Sequence, residues 1–144
     1  MTALTFRPGV MFFPVTVFSA EDEVDAGLTA AHIRSGVDAG AAAVFAACGT
    51  GEFHALSTEE YATVLAAAVE AVAGEVPVIG GAGGPLGHAK AVGRAARRAG
   101  ADALLVLPPY LVGGTQAGLI AYVERIMDSS ELPVILYHRG QAQF

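Results

Sequence analysis

Residues 42–53 read AAVFAACGTGEF, a continuous apolar run that ends in a glycine-rich turn with one acidic residue. Such a run predicts a strand buried on both faces, as in a parallel sheet covered by helices. Further runs of this kind follow one another at intervals of about thirty residues, the length of a βα repeat. They are VMFFPV from Val10, VPVIGG from Val76, DALLVL from Asp102 and LPVILY from Leu132.

Helical patterns fill the intervals between these runs. Ser57 and Glu60 form an S-x-x-E pattern, which predicts a capping box. Gly40, Gly74 and Gly100 stand just before strands, where a left-handed helix end favours glycine. The predicted apolar stripes are Ala26, Ala30, Ile33 and Val37; Tyr61, Val64, Ala68 and Val72; Ala89, Val92, Ala96 and Ala99; and Leu119, Val123, Ile126 and Met127.

The order β-α-β-α-β-α-β-α-β predicts a parallel sheet with right-handed crossovers, and two architectures share that order. One is a doubly wound, flavodoxin-like sheet. The other is the first half (β1 to β5) of a (β/α)₈ TIM barrel. A doubly wound domain normally ends with a helix over its last strand, but only seven residues follow Tyr137. We therefore expect an α/β fold in which residues 1–144 form the N-terminal half of a single barrel domain, with the C-terminal half absent.

Composition narrows the class of protein. Of the 144 residues, 53% are apolar and 15% are charged, which is too hydrophobic for a disordered chain. No apolar run approaches the roughly 18 residues of a membrane span. The formal charge of −6 argues against nucleic acid or an anionic membrane as a partner. The single cysteine, Cys48, excludes an intramolecular disulfide and fits a cytoplasmic location, and no Cys/His cluster has zinc spacing.

Ligands of parallel α/β folds gather at the carboxyl ends of the strands. After the second run, Gly49, Thr50 and Gly51 could turn backbone N–H groups and a hydroxyl toward a small anion, or they could form an ordinary turn. After the fifth run, Tyr137 and Arg139 are separated by one residue, so both can point to the same side and could relay a proton and bind a carboxylate. The alternative is a strand-end tyrosine beside a surface arginine.

Other chemistry-bearing residues favour structural interpretations. The glycine run at residues 80–84 lacks the G-x-G-x-x-G pattern and is better explained by close backbone packing at the rim. His32, His54 and His88 share no spacing, so we expect them to be structural or solvated. Cys48 should be a small buried residue, and Lys90 should lie on a solvated helix face.

Five strand-end motifs, in order, resemble the dihydrodipicolinate synthase/N-acetylneuraminate lyase family. They are PVT at 14–16, GTGEF at 49–53, IGGAGG at 79–84, LPPYL at 107–111 and VILYHR at 134–139. The resemblance implies a TIM barrel and Schiff-base (class I) lyase chemistry on 2-oxo acids. Within the family the motifs are most similar to the 5-dehydro-4-deoxyglucarate dehydratases, because Gly49 and Leu111 stand where the synthases have a hydroxyl and a second tyrosine. In the fifth-strand motif, His138 stands where these dehydratases usually have asparagine, and the sequence does not explain this difference.

The resemblance also implies roles for individual residues. Gly49, Thr50 and Gly51 would hold the substrate carboxylate, and Tyr137 with Thr50 would be catalytic, Tyr137 as the proton shuttle. Arg139 would face the distal carboxylate, and Pro14 and Tyr110 would line the pocket. No metal or organic cofactor would be required, because the iminium is the electron sink. The implied partner is a small-molecule 2-oxo acid, with assembly into dimers or tetramers.

One element of that chemistry is missing from the sequence. The family's imine-forming lysine sits on the sixth strand, whereas the only lysine here is Lys90. We therefore expect the chain by itself to form no Schiff base. Three hypotheses follow: the N-terminal half of a decarboxylating dehydratase, the same half of a dihydrodipicolinate synthase-like enzyme or pyruvate-dependent aldolase, and a non-catalytic α/β binding module or truncated pseudoenzyme.

Overall fold

A computed structural model describes residues 4–107, 109 and 114–138, and strands alternate with helices along them as the sequence predicts. The strands are β1 (Met11–Phe12), β2 (Ala43–Ala46), β3 (Val78–Ala82), β4 (Ala103–Val106) and β5 (Val134–Leu136). The helices are α1 (Ala26–Asp38), α2 (Thr58–Val72), α3 (Leu86–Ala99) and α4 (Gln116–Ser130), and a short 3₁₀ helix spans Phe53–Ala55.

The predicted helix ends are confirmed. The Ser57 hydroxyl accepts a hydrogen bond from the Glu60 N–H at 3.1 Å, and the Glu60 carboxylate accepts one from the Ser57 N–H at 2.7 Å, which completes the capping box of α2. Gly40, Gly74 and Gly100 have φ angles of 94°, 76° and 92°. Each of these glycines therefore occupies the left-handed region in which a side chain would be strained.

The first strand is shorter than its apolar run. Only Met11 and Phe12 pair with β2, opposite Ala43 and Val44. Pro14 has no N–H to donate to a ladder, so the run leaves the sheet as it approaches this residue. The chain then continues as a loop whose residues reach the carboxyl edge of the sheet.

Strand order decides between the two architectures. The described sheet has the order β1-β2-β3-β4-β5, and each neighbouring pair is parallel. A flavodoxin-like sheet would reverse this order at a switch point and carry helices on both faces. Here buried residues of all four helices, including Ile33, Leu65, Val92 and Ile126, share one core with one face of the strands. The sequential order and one-sided helices are those of the first half of a (β/α)₈ barrel.

The opposite face of the sheet is also buried. Alternate strand residues form a second cluster there together with Cys48, which follows β2; the strand members are Ala43, Phe45, Ile79, Ala103 and Leu105. Phe6 and Phe13 pack over this face, and the ring of Phe13 stacks on that of Phe45 at a centroid distance of 4.5 Å. Burial on both faces explains why the strands read as continuous apolar runs rather than as alternating patterns.

The predicted stripe of α4 is only partly right. Val123 and Ile126 are buried, whereas Leu119 is half-buried and Met127 is 38% exposed. The apolar surface of this helix is wider than the area that α3 and the sheet cover, so Met127 lies beyond the contact. None of the helices within the described ranges is long and apolar enough to cross a membrane.

Candidate active site

The parallel strands bring the ends of β1, β2 and β5 to the same edge of the sheet. Pro14 follows β1 and is buried, and Gly49, Thr50 and Gly51 follow β2. Tyr137 follows β5, and its N–H donates to the Val106 carbonyl at 2.9 Å, continuing the pairing with β4 by one residue. The Tyr137 side chain is half-buried and packs against the cores on both faces of the sheet.

The chain after β2 makes a tight loop with two non-glycine residues in left-handed conformations. Ala47 has φ of 47° and Glu52 has φ of 59°. Inside the loop, the Glu52 N–H donates to the Gly49 carbonyl at 3.2 Å and the Phe53 N–H to the Cys48 carbonyl at 3.1 Å. Left-handed conformations cost L-residues about 1–2 kcal/mol each, and such strain is concentrated at functional loops. The loop is therefore held in shape by its surroundings.

The two glycines of this loop differ in their surroundings. Gly51 is buried, and a Cβ there would lie 3.1 Å from the Ala47 backbone and 3.2 Å from the Pro14 carbonyl oxygen. Gly49 is exposed, and a Cβ there would meet nothing within 4 Å. Neither glycine has a positive φ. Packing thus favours glycine at 51, where a Cβ would be crowded by backbone atoms, whereas neither packing nor a positive φ calls for it at 49.

Backbone donors of the loop are left available. Among the described residues, none accepts a hydrogen bond from the N–H groups of Gly49, Thr50 or Gly51. Gly49 and Thr50 are exposed at the carboxyl edge of the sheet. Consecutive free N–H groups in a turn form a concavity that suits a small anion such as a carboxylate.

The glycine run of β3 serves packing, as the sequence predicts. A Cβ on Gly81 would collide with the Ala47 carbonyl oxygen, so this glycine allows β3 to lie directly against the start of the β2 loop. At the end of the run, the Tyr122 hydroxyl donates to the Gly84 carbonyl at 2.8 Å, and burial raises the pKa of Tyr122 to about 12. Close backbone contact therefore supports the loop from the β3 side.

The remaining predicted residues divide into several groups. Cys48 is fully buried, and burial raises the pKa of its thiol well above the usual range, as expected of a structural cysteine. His54 and His88 contact the ring of Phe53 at centroid distances of 5.0 and 5.9 Å. Tyr110 and Arg139 lie outside the described residues.

Two further features concern charged and metal-binding groups. Lys90 lies on helix α3 and not on a strand. It is half-buried, so it is less exposed than the solvated helix face that the sequence predicts. Within residues 4–107, 109 and 114–138, no group of three His, Cys, Asp or Glu side chains is arranged to hold a metal ion.

One residue at this edge, Thr16 of the PVT motif, received no role of its own from the sequence. Thr16 is 6% exposed, and its hydroxyl donates to the Gly51 carbonyl at 2.7 Å across 35 residues of sequence. The sequence offers two signals for it: its place in the PVT motif and its position, because a polar residue that follows a strand of a parallel sheet by a few residues can reach the carboxyl edge.

The profile of the Dihydrodipicolinate synthetase family matches residues 7–142 of this sequence. The chain belongs to this family. The match takes in the β1, β2 and β5 ends described above, so the family resemblance drawn from the five strand-end motifs is confirmed.

Two curated relatives of this chain are both named as probable 5-dehydro-4-deoxyglucarate dehydratases. A probable 5-dehydro-4-deoxyglucarate dehydratase 1 of Streptomyces coelicolor is 50% identical over 141 residues, which are 98% of this chain and 45% of the relative. A probable 5-dehydro-4-deoxyglucarate dehydratase of Streptomyces griseus is 51% identical over 136 residues, 94% of this chain and 42% of the relative. The chain thus spans less than half the length of these curated relatives.

Solved structures of the family superpose on the same region. YagE of Escherichia coli K12, a dihydrodipicolinic acid synthase family protein in complex with pyruvate, matches with a TM-score of 0.86 at 34% identity, covering 94% of this chain and 46% of that one. Dihydrodipicolinate synthase of Aquifex aeolicus matches with a TM-score of 0.85 at 32% identity, over 94% and 46% of the two chains. This family member therefore has the first half of the family's fold.

Proposed function

We propose that this chain supplies the carboxylate-binding and proton-transfer half of a Schiff-base lyase that dehydrates and decarboxylates 5-dehydro-4-deoxyglucarate. One water and one carbon dioxide leave the six-carbon diacid, and the five-carbon 2,5-dioxopentanoate remains. The names of relatives at about half sequence identity support the substrate. In this proposal residues 1–144 are the N-terminal half of a single barrel domain.

The observation that carries the proposal is the loop after β2. Its N–H groups at Gly49, Thr50 and Gly51 have no acceptor among the described residues, and it lies where parallel α/β folds bind ligands. Gly49 needs glycine for neither packing nor φ. Glycine is also favoured where a ligand approaches the backbone closely, and we propose that this is the reason for glycine at position 49. In our proposal the substrate carboxylate next to the keto group binds here, with the Thr50 hydroxyl as a further donor.

The other roles follow from position and chemistry. Tyr137 stands at the same edge, half-buried, and would move the protons of imine formation and elimination through its phenol. Arg139 would bind the distal carboxylate, because a guanidinium holds a carboxylate by two hydrogen bonds. Pro14 and Tyr110 would line the pocket. An iminium carbon next to the reacting bonds accepts the electron pair, so the proposal needs no metal or organic cofactor.

The nucleophile is not among these residues. Lys90 is the only lysine, and it lies on α3 rather than on a strand. We expect that borohydride reduction of this chain in the presence of pyruvate leaves its mass unchanged. A stable adduct on Lys90 would contradict the assignment of the imine-forming lysine to a part of the fold beyond these five strands.

Activity can be tested by completing the barrel. Residues 1–142 of this chain, which include Arg139, should be joined to the part of the Streptomyces coelicolor relative that lies beyond the matched region. This chimera should release carbon dioxide from 5-dehydro-4-deoxyglucarate and form 2,5-dioxopentanoate. Release of pyruvate instead would indicate an aldolase of the same family. A folded chimera that produces neither would favour the non-catalytic hypothesis.

The same chimera tests the threonine hydroxyl. Thr50→Val should abolish turnover, because it removes the donor without changing the shape of the side chain. Thr63→Val is the matched control, since Thr63 is also exposed and its hydroxyl donates to the Glu59 carbonyl within α2. Unchanged turnover in Thr50→Val would remove Thr50 from the proposed site. Assembly of the whole enzyme into dimers or tetramers belongs to the same proposal and is measurable on the chimera.

A further inference from the structure

We infer that Thr16 is a positioning residue that aims the backbone donors of the β2 loop at the substrate carboxylate. The inference rests on the proposed function, because it assigns a role within the carboxylate site. It is carried by the hydrogen bond from the Thr16 hydroxyl to the Gly51 carbonyl, 2.7 Å long and buried. Thr16 itself does not touch the substrate in this inference.

The bond fixes one peptide plane at both ends. The carbonyl of Gly51 and the N–H of Glu52 belong to the same planar unit. The carbonyl accepts from Thr16 at 2.7 Å, and the N–H donates to the Gly49 carbonyl at 3.2 Å. Rotation of this plane would break both bonds, so the direction of the Gly51 carbonyl also determines where the Gly49 carbonyl is held.

The Gly49 carbonyl in turn orients a free donor. The carbonyl of Gly49 and the N–H of Thr50 share a second planar unit, linked to the first by this hydrogen bond, and in a trans peptide they point in opposite directions. The described chain has no cis peptide bonds. Because the Gly49 carbonyl is directed into the loop toward Glu52, the N–H of Thr50 is directed out of it. The Thr16 hydroxyl thus determines, through two peptide planes, where this N–H points.

Thr16 is itself held by α1. The N–H of Val17 donates to the hydroxyl of Thr29 at 3.1 Å, and Thr29 is fully buried in the helix. The Val17 carbonyl accepts from the N–H of Asp25, the N-cap residue of α1, at 2.8 Å. Both polar groups of the residue after Thr16 are therefore bound to the start of the helix. This anchoring gives the loop after β2 a rigid support.

The left-handed residues explain why the support is needed. Glu52, with φ of 59°, belongs to the peptide plane that Thr16 holds, and Ala47 at the other end of the loop has φ of 47°. Non-glycine residues keep such conformations only where the surrounding structure fixes them. Without the hydroxyl at position 16, we expect Glu52 to relax toward negative φ and the plane between Gly51 and Glu52 to turn.

The test uses three variants of the 144-residue chain. Thr16→Val keeps the shape and removes the hydroxyl, and Thr16→Ser keeps the hydroxyl. Ser130→Ala is the control, because the buried Ser130 hydroxyl donates to the Ile126 carbonyl in α4, away from the β2 loop. Two quantities are measured by ¹⁵N NMR: the solvent-exchange rate of the Glu52 amide, and the dissociation constant of pyruvate from the shifts of residues 49–51. Urea denaturation establishes that each variant is folded.

In Thr16→Val we expect the solvent-exchange rate of the Glu52 amide to rise about tenfold and the dissociation constant of pyruvate to rise about tenfold. Both changes correspond to the loss of one buried hydrogen bond to the loop. Thr16→Ser should stay within about twofold of the parent in both quantities, and so should Ser130→Ala. The inference is overturned if Thr16→Val keeps either quantity at the parent value, or if Ser130→Ala changes both as strongly.

The two proposals fail in different ways. If the parent chain shows no pyruvate-dependent shifts at residues 49–51, the carboxylate site is refuted, and with it the functional part of the Thr16 inference. The exchange rate of Glu52 then still decides whether Thr16 holds the loop. If pyruvate binds the parent and Thr16→Val equally well, the carboxylate site stands and the positioning role is refuted.

Discussion

The hydroxyl of Tyr61 is fully buried and has no hydrogen-bond partner among the described residues, so Tyr61→Phe should make the protein more stable. Tyr61 lies on α2, and its hydroxyl points at Gly80 of β3, where a Cβ would collide with it. Leu65 and Ala96 border the same space with apolar atoms. Burial of a hydroxyl without a partner costs about 1–3 kcal/mol.

The opposing contribution is small. Removal of the oxygen leaves a void of about 15 Å³, which at about 24 cal/mol per Å³ costs roughly 0.4 kcal/mol. The expected net gain in the free energy of unfolding is about 1 kcal/mol, or about 3 °C in Tm for a domain of this size. Both quantities can be measured by urea and thermal denaturation followed by circular dichroism at pH 7.

A second tyrosine provides the matched control. The Tyr122 hydroxyl donates to the Gly84 carbonyl, so Tyr122→Phe removes the same oxygen together with a hydrogen bond. It should lower the free energy of unfolding by about 1 kcal/mol, opposite in sign to Tyr61→Phe. If Tyr61→Phe also destabilises the protein, the hydroxyl of Tyr61 has a partner in solution, such as a buried water, and the reasoning is refuted.

Three further predictions concern the loops, a helix end and pH. Gly81→Ala should destabilise the protein by about 2 kcal/mol because its Cβ meets the Ala47 carbonyl, whereas Gly49→Ala should stay within about 0.5 kcal/mol; equal costs in urea denaturation would contradict this. Ser57→Ala should cost about 1 kcal/mol through loss of the α2 cap, and an unchanged urea midpoint would refute that role. Tyr122 keeps its proton to about pH 12 when folded but loses it from about pH 10 when unfolded, so the stability advantage over Tyr122→Phe should shrink between these pH values. An advantage that stays constant over that range, in urea titrations at each pH, would argue against the burial of Tyr122.

Local features of the fold could be predicted because their causes are local in sequence. The capping box of α2 needs only Ser57 and Glu60, three residues apart. The glycine ends of the helices need only a residue that tolerates positive φ, as at Gly100. Buried strands are recognisable because both of their faces are apolar. Each of these signals is complete within one short segment.

Strand order and the exposed side of α4 depend on distant residues. The same five runs fit a doubly wound sheet or half a barrel, and the short stretch after Tyr137 favours the barrel only indirectly. In the structure, the pairing of β2 with both β1 and β3 and the helices on one face separate the two directly. Met127 fits the apolar stripe of α4, but which part of that stripe is covered depends on how α3 and β5 lie against the helix. Helical periodicity shows which face of a helix is apolar, but it does not show how much of that face its neighbours cover.

The sequence predicts a turn after β2, but it does not show why the turn contains glycines at positions 49 and 51. Its sequence favours a turn, and glycine is the residue that turns usually need at positive φ. The left-handed positions are instead Ala47 and Glu52, while Gly49 and Gly51 have ordinary φ angles. Both glycines lie in a turn, as one of the two interpretations predicts, but neither is needed there for a positive φ. Gly51 is explained by the backbone of Ala47 and the carbonyl of Pro14, neither of which is near it in an extended chain.

The same loop shows why its polar support escaped prediction. The proposed carboxylate site is made mainly of backbone N–H groups, so the direction of these donors must be fixed from outside the loop. We infer that this support comes from Thr16, which is 35 residues away and whose hydroxyl donates to the carbonyl of Gly51. A threonine after a strand carries no mark of such a role in the sequence. It follows that backbone-built sites are predicted from sequence by their glycines, whereas the residues that hold them in place must be found from hydrogen bonds in the folded chain.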